Sequence, residues 1–254
     1  MKESVSTKAF RHVLVVGGTK GIGRAIAGHF LNCGVKVVSL IGRSVPDTSA
    51  GLLLGANFVN VDLNNFVKLE EAMSALVREK GRFSEIVFSQ RYRGDCEDWP
   101  AMAQVSWKAV SWFLNSPQNW MHEEGGSVVM LSSPAAHQVV VEQPLSYHVA
   151  KAGLDQLVRY YAVQLGPKGI RVNGVSPAIV IKEESKSYFE GRSSFIRALE
   201  SAMPLRKIPT TQDVADVVHF LCSPSANSIT GQIFTLDGGL GLRAPVSIVG
   251  ENVL

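Results

Sequence analysis

Apolar runs of strand length alternate with segments of helical period along most of the chain. Residues 12–18 (HVLVVGG) read as a buried strand ending in glycine. Residues 21–34 (GIGRAIAGHFLNCG) read as an amphipathic helix in which Ile22, Ile26, Phe30 and Leu31 fall near helical spacing and Gly34 marks the stop. Residues 35–42 (VKVVSLIG) and 57–62 (NFVNVD) predict the second and third strands. Residues 69–81 (LEEAMSALVREKG) predict a helix with acids early and bases late, the order its dipole favours. Strands four, five and six follow at 85–89, 126–133 and 170–176. Near-continuous Val, Ile and Leu strands separated by helices require cover on both faces. The pattern therefore predicts a parallel, doubly wound α/β sheet in three layers, helices on either side. No repeat or linker divides the chain, so one domain over residues 1–254 is expected.

Strand four ends oddly. Ile86, Val87 and Phe88 lead straight into Ser89, Gln90, Arg91, Tyr92 and Arg93, with no turn residue before Gly94. This is either a solvated strand exit or the wall of a site.

Composition narrows the classes. A chain of 254 residues can bury roughly 70–75% of its unfolded surface without disulfide staples. The net charge of +3 comes from Lys and Arg scattered singly, which argues against a nucleic-acid surface, because counterion release needs clustered cations. Cys33, Cys96 and Cys222 lie far apart, so their spacing gives neither a zinc motif nor a disulfide framework. The apolar stretch near the N-terminus, Val13 to Val16, is too short for a signal peptide or a membrane span. A cytoplasmic, reduced protein without membrane or nucleic-acid partners is expected.

Strand one runs into GGTKGIG, with Thr19, Lys20 and Ile22 between or beside the spaced glycines. The turn needs the conformational freedom of Gly17, Gly21 lets the backbone approach a pyrophosphate, and Gly23 allows close packing. The next helix would point its N-terminal amides at the phosphates. A plain tight turn is the alternative, and the placement between strand and helix argues against it. Binders of NAD carry an acid at the end of strand two. Here Gly42, Arg43 and Ser44 stand there instead, with Lys20 as a second cation. Two cations converging on the adenine ribose favour a 2′-phosphate, hence NADP(H) over NAD(H). The alternative is two solvated surface cations. Asp62, followed by Leu63, would accept from the adenine amino group or else cap a helix.

Tyr147 and Lys151, in SYHVAK, are four residues apart and share a helix face. A phenol ordinarily titrates near 10, and a neighbouring ammonium favours its ionised form, so the pair reads as a tuned acid/base. Ser133, at the end of strand five, would face the same crevice, since ligands of parallel sheets bind at strand C-termini. Its hydroxyl can hold a substrate carbonyl while Tyr147 protonates it. Ser132 should point to the opposite side of the strand.

From VVGGTKGIG through VVMLSS, YHVAK and IRVNGVSPA to SITGQIFTLDGG, the chain resembles the short-chain dehydrogenase/reductase family in its compact single-domain branch. The resemblance implies a Rossmann-type fold and hydride transfer between a nicotinamide and a carbonyl or alcohol carbon. It implies that Ser133 orients the substrate oxygen, that Tyr147 is the acid/base, and that Lys151 tunes Tyr147 and holds the nicotinamide ribose. Ser89, Gln90, Arg91 and Tyr92 stand where the family usually carries Asn-Asn-Ala-Gly, with Ser89 and Gln90 expected to touch the cofactor. By spacing from Trp99, Ser106 replaces the helix Asn of the family's proton relay. Ala178 and Lys182 replace a Gly and a Thr after Pro177, leaving the backbone of Val180 as the carboxamide partner.

Two readings follow. One is a ketone or aldehyde reductase, biosynthetic in role, that grips an anionic or polar substrate with Arg91, Tyr92, Arg93 and Lys182. The other is a non-catalytic nucleotide-binding relative or scaffold, which has no reason to keep Ser133, Tyr147 and Lys151 together. Residues 178–206 would form the substrate lid, with Tyr188, Phe189 and Phe195 lining it, or an ordinary surface helix with Phe195 and Leu199 packed inward. His137 either bonds a substrate oxygen or is solvated. Trp107, Trp112 and Trp120 read as core or subunit contacts. The long helices predict a homodimer or homotetramer.

Overall fold

Seven strands form one sheet: β1 (His12–Val16), β2 (Val37–Gly42), β3 (Asn57–Asn60), β4 (Glu85–Phe88), β5 (Gly126–Leu131), β6 (Ile170–Pro177) and β7 (Ile233–Leu236). Their order is β3-β2-β1-β4-β5-β6-β7 and every neighbouring pair is parallel. The computed structural model describes residues 10–46, 51–182 and 191–251. The helices are α1 (Gly21–Asn32), α2 (Phe66–Lys80), α3 (Trp99–Ala103), α4 (Ala109–Asn115), α5 (Leu145–Leu165), α6 (Ser193–Ala202), α7 (Thr211–Cys222) and α8 (Pro245–Glu251).

The two-residue period of the strands sorts their side chains into two cores. Leu14, Val16, Ile86, Phe88, Val128 and Met130 face Met73 of α2, Phe113 of α4 and Val158 of α5. Val13, Val15, Val87, Val129 and Leu131 face Ile26 and Phe30 of α1 and Val214 and Val218 of α7. Both faces are covered, which is why the strands read as unbroken apolar runs. Chain direction across the sheet reverses between β1 and β4, so the loops after these strands diverge and open a crevice there.

Three details differ from the sequence reading. Helix α2 starts at Phe66 because Asn65 caps it, accepting from the Lys68 amide at 3.0 Å. Its first turn therefore holds no acid, and Glu70 and Glu71 fall in the second. Strand β7, with the sequence IFTL, is a seventh strand beyond the six expected, and it is short and no more than half-buried. The helical run 99–115 is interrupted by a π turn, Gln104–Lys108, in which the Ala109 amide bonds the Gln104 carbonyl.

Candidate active site

The crevice holds a cavity of about 660 Å³ floored by the loop after β1. Gly17 has φ +80°, and a Cβ there would come within 2.7 Å of the Gln90 backbone. A Cβ on Gly23 would overlap the Gly17 carbonyl oxygen. Both positions need glycine because the loop after β1, the start of α1 and the exit of β4 are stacked in direct contact. Lys20, the N-cap of α1, is extended and gives the helix no side-chain hydrogen bond. The first turn of α1 borders the cavity, and a helix N-terminus is the end that favours a phosphate. Thr19, Gly21, Ile22 and Gly23 all line the cavity.

At the end of β2, Arg43 and Ser44 line the same cavity, together with Lys20. Thr19 Oγ1 lies 3.5 Å from Ser44 Oγ, and a Cβ on Gly42 would come within 2.7 Å of the Thr19 methyl. Thr19 thus fills the room a side chain at position 42 would need. Asp62 and Leu63 border the cavity from the β3 exit. The Asp62 carboxylate accepts from the Asn64 amide at 2.9 Å, closing a loop turn. The helix-cap reading of Asp62 fails because Asn65 occupies that role.

Ser133, Tyr147 and Lys151 all line the same cavity. Ser133 lies two residues beyond β5 and caps a short 3₁₀ turn, its Oγ accepting from the Ala135 amide at 3.3 Å. Ser132 turns away as expected, and its hydroxyl donates to buried Asp155. Lys151 is buried, donates to the Leu131 carbonyl at 2.6 Å, and holds its ammonium 5.7 Å from the centre of the Tyr147 ring. Burial first, and the Arg91 guanidinium second, push the Lys151 ammonium down to about 8, against the opposing pull of Asp155.

The polar exit of β4 is a partition between two cavities. Residues Gln90 to Arg93 line the large cavity and also a second one of about 360 Å³. Ser89, bordering the large cavity, extends the ladder by donating its amide to Val16 at 2.8 Å. Gln90 donates through Nε2 to the Val105 carbonyl at 3.3 Å, and its Oε1 is buried without a protein partner. Arg91 donates to Gln143 Oε1 at 2.9 Å and stacks its guanidinium 4.6 Å from the Tyr147 ring centre. Tyr92 folds back over Gly94, and partial desolvation followed by Asp98 holds its phenol above the ordinary value. Arg93 is exposed.

The second cavity joins Ser106, Gln90, Tyr147 and Lys151, with Phe88, Met102 and Leu154 as its apolar wall. Ser106 lies within the π turn. The sequence located this serine by spacing but gave no sign of the turn, nor of Gln143 as the partner of Arg91.

Pro177, Ala178, Val180 and Lys182 close the large cavity from the β6 exit. Tyr188 and Phe189 lie outside the described residues. Phe195 is 44% exposed and α6 has no buried residue, so the inward-packed surface helix is not what forms. His137 is exposed and borders neither cavity, so its expected contact with substrate has no geometric support. His148 instead buckles that loop, accepting from the Val140 amide at 2.9 Å and donating to the Pro144 carbonyl at 2.9 Å. Trp107 donates to the Ala150 carbonyl at 2.9 Å and Trp112 stacks on Trp120, so these indoles are internal contacts.

A family profile described as enoyl-(acyl carrier protein) reductase matches residues 16–241. Human dehydrogenase/reductase SDR family member 2, mitochondrial, is 31% identical over 243 residues, covering 91% of this chain and 86% of that protein. The chain belongs to the short-chain dehydrogenase/reductase family. A probable galactose dehydrogenase of Rhizobium meliloti is 28% identical over 91% of this chain and 94% of its own. A short-chain type dehydrogenase/reductase from Mycobacterium ulcerans superposes with a TM-score of 0.78 at 27% identity, covering 96% of this chain and 94% of that one. As a short-chain dehydrogenase/reductase the protein is an oxidoreductase of a family that binds a nicotinamide cofactor, and the scaffold alternative is not favoured. No helix among the described residues is long and apolar enough to cross a membrane.

Proposed function

We propose that the protein is an NADP(H)-dependent reductase of ketones or aldehydes whose substrate carries an anionic or strongly polar group. One observation carries this reading. Among the described residues, the large cavity is lined by Lys20, Arg43, Arg91, Arg93, Lys151 and Lys182, against the single carboxylate of Asp62. Lys20 and Arg43 stand at the glycine-loop end, where they suit a 2′-phosphate. Arg91 stands beside Tyr147, where it suits a second anion.

The glycine cradle and the N-terminus of α1 at the cavity fit a dinucleotide pyrophosphate. Lys20, Arg43 and Ser44 would hold the phosphorylated ribose, Asp62 and Leu63 the adenine, and Pro177 and Val180 the nicotinamide end. The bound nicotinamide supplies the hydride. Ser133 Oγ would hold the substrate oxygen, and Tyr147 would pass its phenolic proton to that oxygen. Lys151, as a cation below about pH 8, would favour the phenolate left behind. The second cavity has room for water between Ser106, Gln90 and Lys151, which would return a proton from solvent. The whole chain reads as one domain. With Cys33, Cys96 and Cys222 all free, a cytoplasmic protein is the matching setting. Val149, Tyr160 and Val163 leave an apolar face of α5 exposed, suited to a homodimer or homotetramer.

The test is turnover of NADPH with a panel of keto acids and matched neutral ketones. Tyr147→Phe should lower kcat by about 10²–10⁴-fold with NADPH still bound. Arg43→Ala should raise the KM for NADPH by roughly 10-fold or more and leave that for NADH nearly unchanged. Equal use of both cofactors by the parent protein would sink the NADP(H) assignment. An unchanged kcat/KM for keto acids in the Arg91→Ala, Arg93→Ala double variant would remove the anionic substrate.

A further inference from the structure

Outside both cavities, where α1 and α7 pack together, the fold brings a donor of α7 beside two from the end of α1. His29 and Cys33 are four residues apart at the end of α1, and His219 lies in the last turn of α7. One ligand atom from each lies within 4.8 Å of the others. His29 Nε2 is 3.4 Å from Cys33 Sγ, and the His29 and His219 rings meet edge to face with centres 5.1 Å apart. We propose that His29, Cys33 and His219 form a transition-metal site, suited to Zn²⁺, that clamps α1 to α7.

Two imidazoles and a thiolate are the donor set of borderline-soft dications. A tetrahedral zinc with ordinary bond lengths holds its ligands about 3.3–3.8 Å apart. Closing from the present spacing takes about 1 Å of side-chain rotation, and Cys33 is exposed and able to move. On binding, the Cys33 thiol gives its proton to solvent and the sulfur takes up the metal.

The second observation lies behind His29. Its Nε2 faces the sulfur, while Nδ1 accepts from the Gln212 side-chain nitrogen at 2.7 Å and lies 3.5 Å from the Asp216 carboxylate. The Gln212 amide nitrogen donates to both Nδ1 and Asp216 Oδ1, so metal binding at Nε2 would move the ring proton to Nδ1, where the Asp216 carboxylate can accept it once the amide withdraws. Asp216 and His219 are one turn apart on α7, so one helix supplies both a ligand and the group that orients the other helix's ligand. Arg11, a cation close enough to act on His219, is neutralised by Glu85 at 2.7 Å. The fourth position would fall to water, because Cys33 is exposed and the cluster reaches the surface.

The probe is Co²⁺, then Zn²⁺ in competition, added to the full-length protein freed of metal by a chelator. One Co²⁺ per chain should bind with a thiolate charge-transfer band in the near ultraviolet, displaced by Zn²⁺, and Zn²⁺ should raise Tm. Cys33→Ser should abolish the band, His219→Ala should weaken binding, and Asp216→Asn should raise the Kd by about 10-fold or more. Cys96→Ser, which alters the other exposed cysteine, should change none of these. A band that survives Cys33→Ser, or binding indifferent to both Cys33→Ser and His219→Ala, would overturn the site. Because Cys33 is exposed, its variant folds, and the result stands whatever the reductase assays give.

Discussion

Between the Leu131 carbonyl and the Tyr147 ring, the Lys151 ammonium has one hydrogen-bond partner and lies within reach of Arg91, Lys182 and Asp155. Its folded value of about 8 lies below the 10.5 of a free lysine. Between those values the unfolded chain holds more protons, so stability rises with pH there, and below pH 8 the full penalty of about 3 kcal/mol is present. Urea unfolding of the cofactor-free protein should therefore show the parent gaining on Lys151→Met as pH climbs from 8 to 10. Removing Arg91 relieves part of the depression, so Arg91→Ala should move the alkaline limb of the kcat profile to higher pH. The Ser133, Tyr147 and Lys151 set was legible because two of its members are one helical turn apart and the third ends a strand. Gln143 was not, because only the fold brings that loop beside Arg91.

At the scale of elements, the π turn Gln104–Lys108 is seated against α5. Trp107 donates to the Ala150 carbonyl, and a Cβ on Gly153 would come within 2.6–2.9 Å of its indole. Gly153→Ala should cost about 1–3 kcal/mol in urea denaturation, since a rigid ring has little room to yield. It should also lower kcat, because α5 carries Tyr147 and Lys151. Helix α7 is fixed by a capping box, with Thr210 accepting from the Asp213 amide and Asp213 from the Thr210 amide. Thr210→Ala should cost about 1 kcal/mol. Periodicity located α1 and α2 but misplaced the start of α2, because a single Asn65 cap outweighs the acids further on. A π turn has no periodicity of its own to read.

Across the whole molecule, buried His12 ties three elements together, its two ring nitrogens 2.8 Å from Ser39 Oγ of β2 and from the Gly81 carbonyl after α2. Burial pushes the imidazole down to about 4 from an ordinary 6.5. The folded state thus keeps His12 neutral while the unfolded chain takes up its proton from pH 6.5 downward. This group contributes stability in full above pH 6.5, and about 3 kcal/mol of it is lost as pH falls to 4. His12→Gln should flatten that part of the acid unfolding curve. The sheet itself was readable, since both of its faces are covered and the apolar runs are unbroken. The charge of the crevice was readable only in parts, Lys20 and Arg43 at the ribose and Arg91, Arg93 and Lys182 at the substrate, and not as one cavity. Lys20, Arg43, Arg91 and Lys182 sit singly in the sequence, and the strand order alone converges them.

That convergence bears on how fast ligands arrive. The chain as a whole is only +3, yet most of the local charge of one cavity has a single sign. Field lines from such a cleft reach into solvent and draw anions toward it, raising encounter rates until salt screens them. At 0.1 M ionic strength the screening length is about 10 Å, comparable to the depth of a cleft. The association rate of NADPH, followed by stopped flow, should therefore fall steeply as salt is added. Its dissociation, governed by short contacts inside the crevice, should change far less.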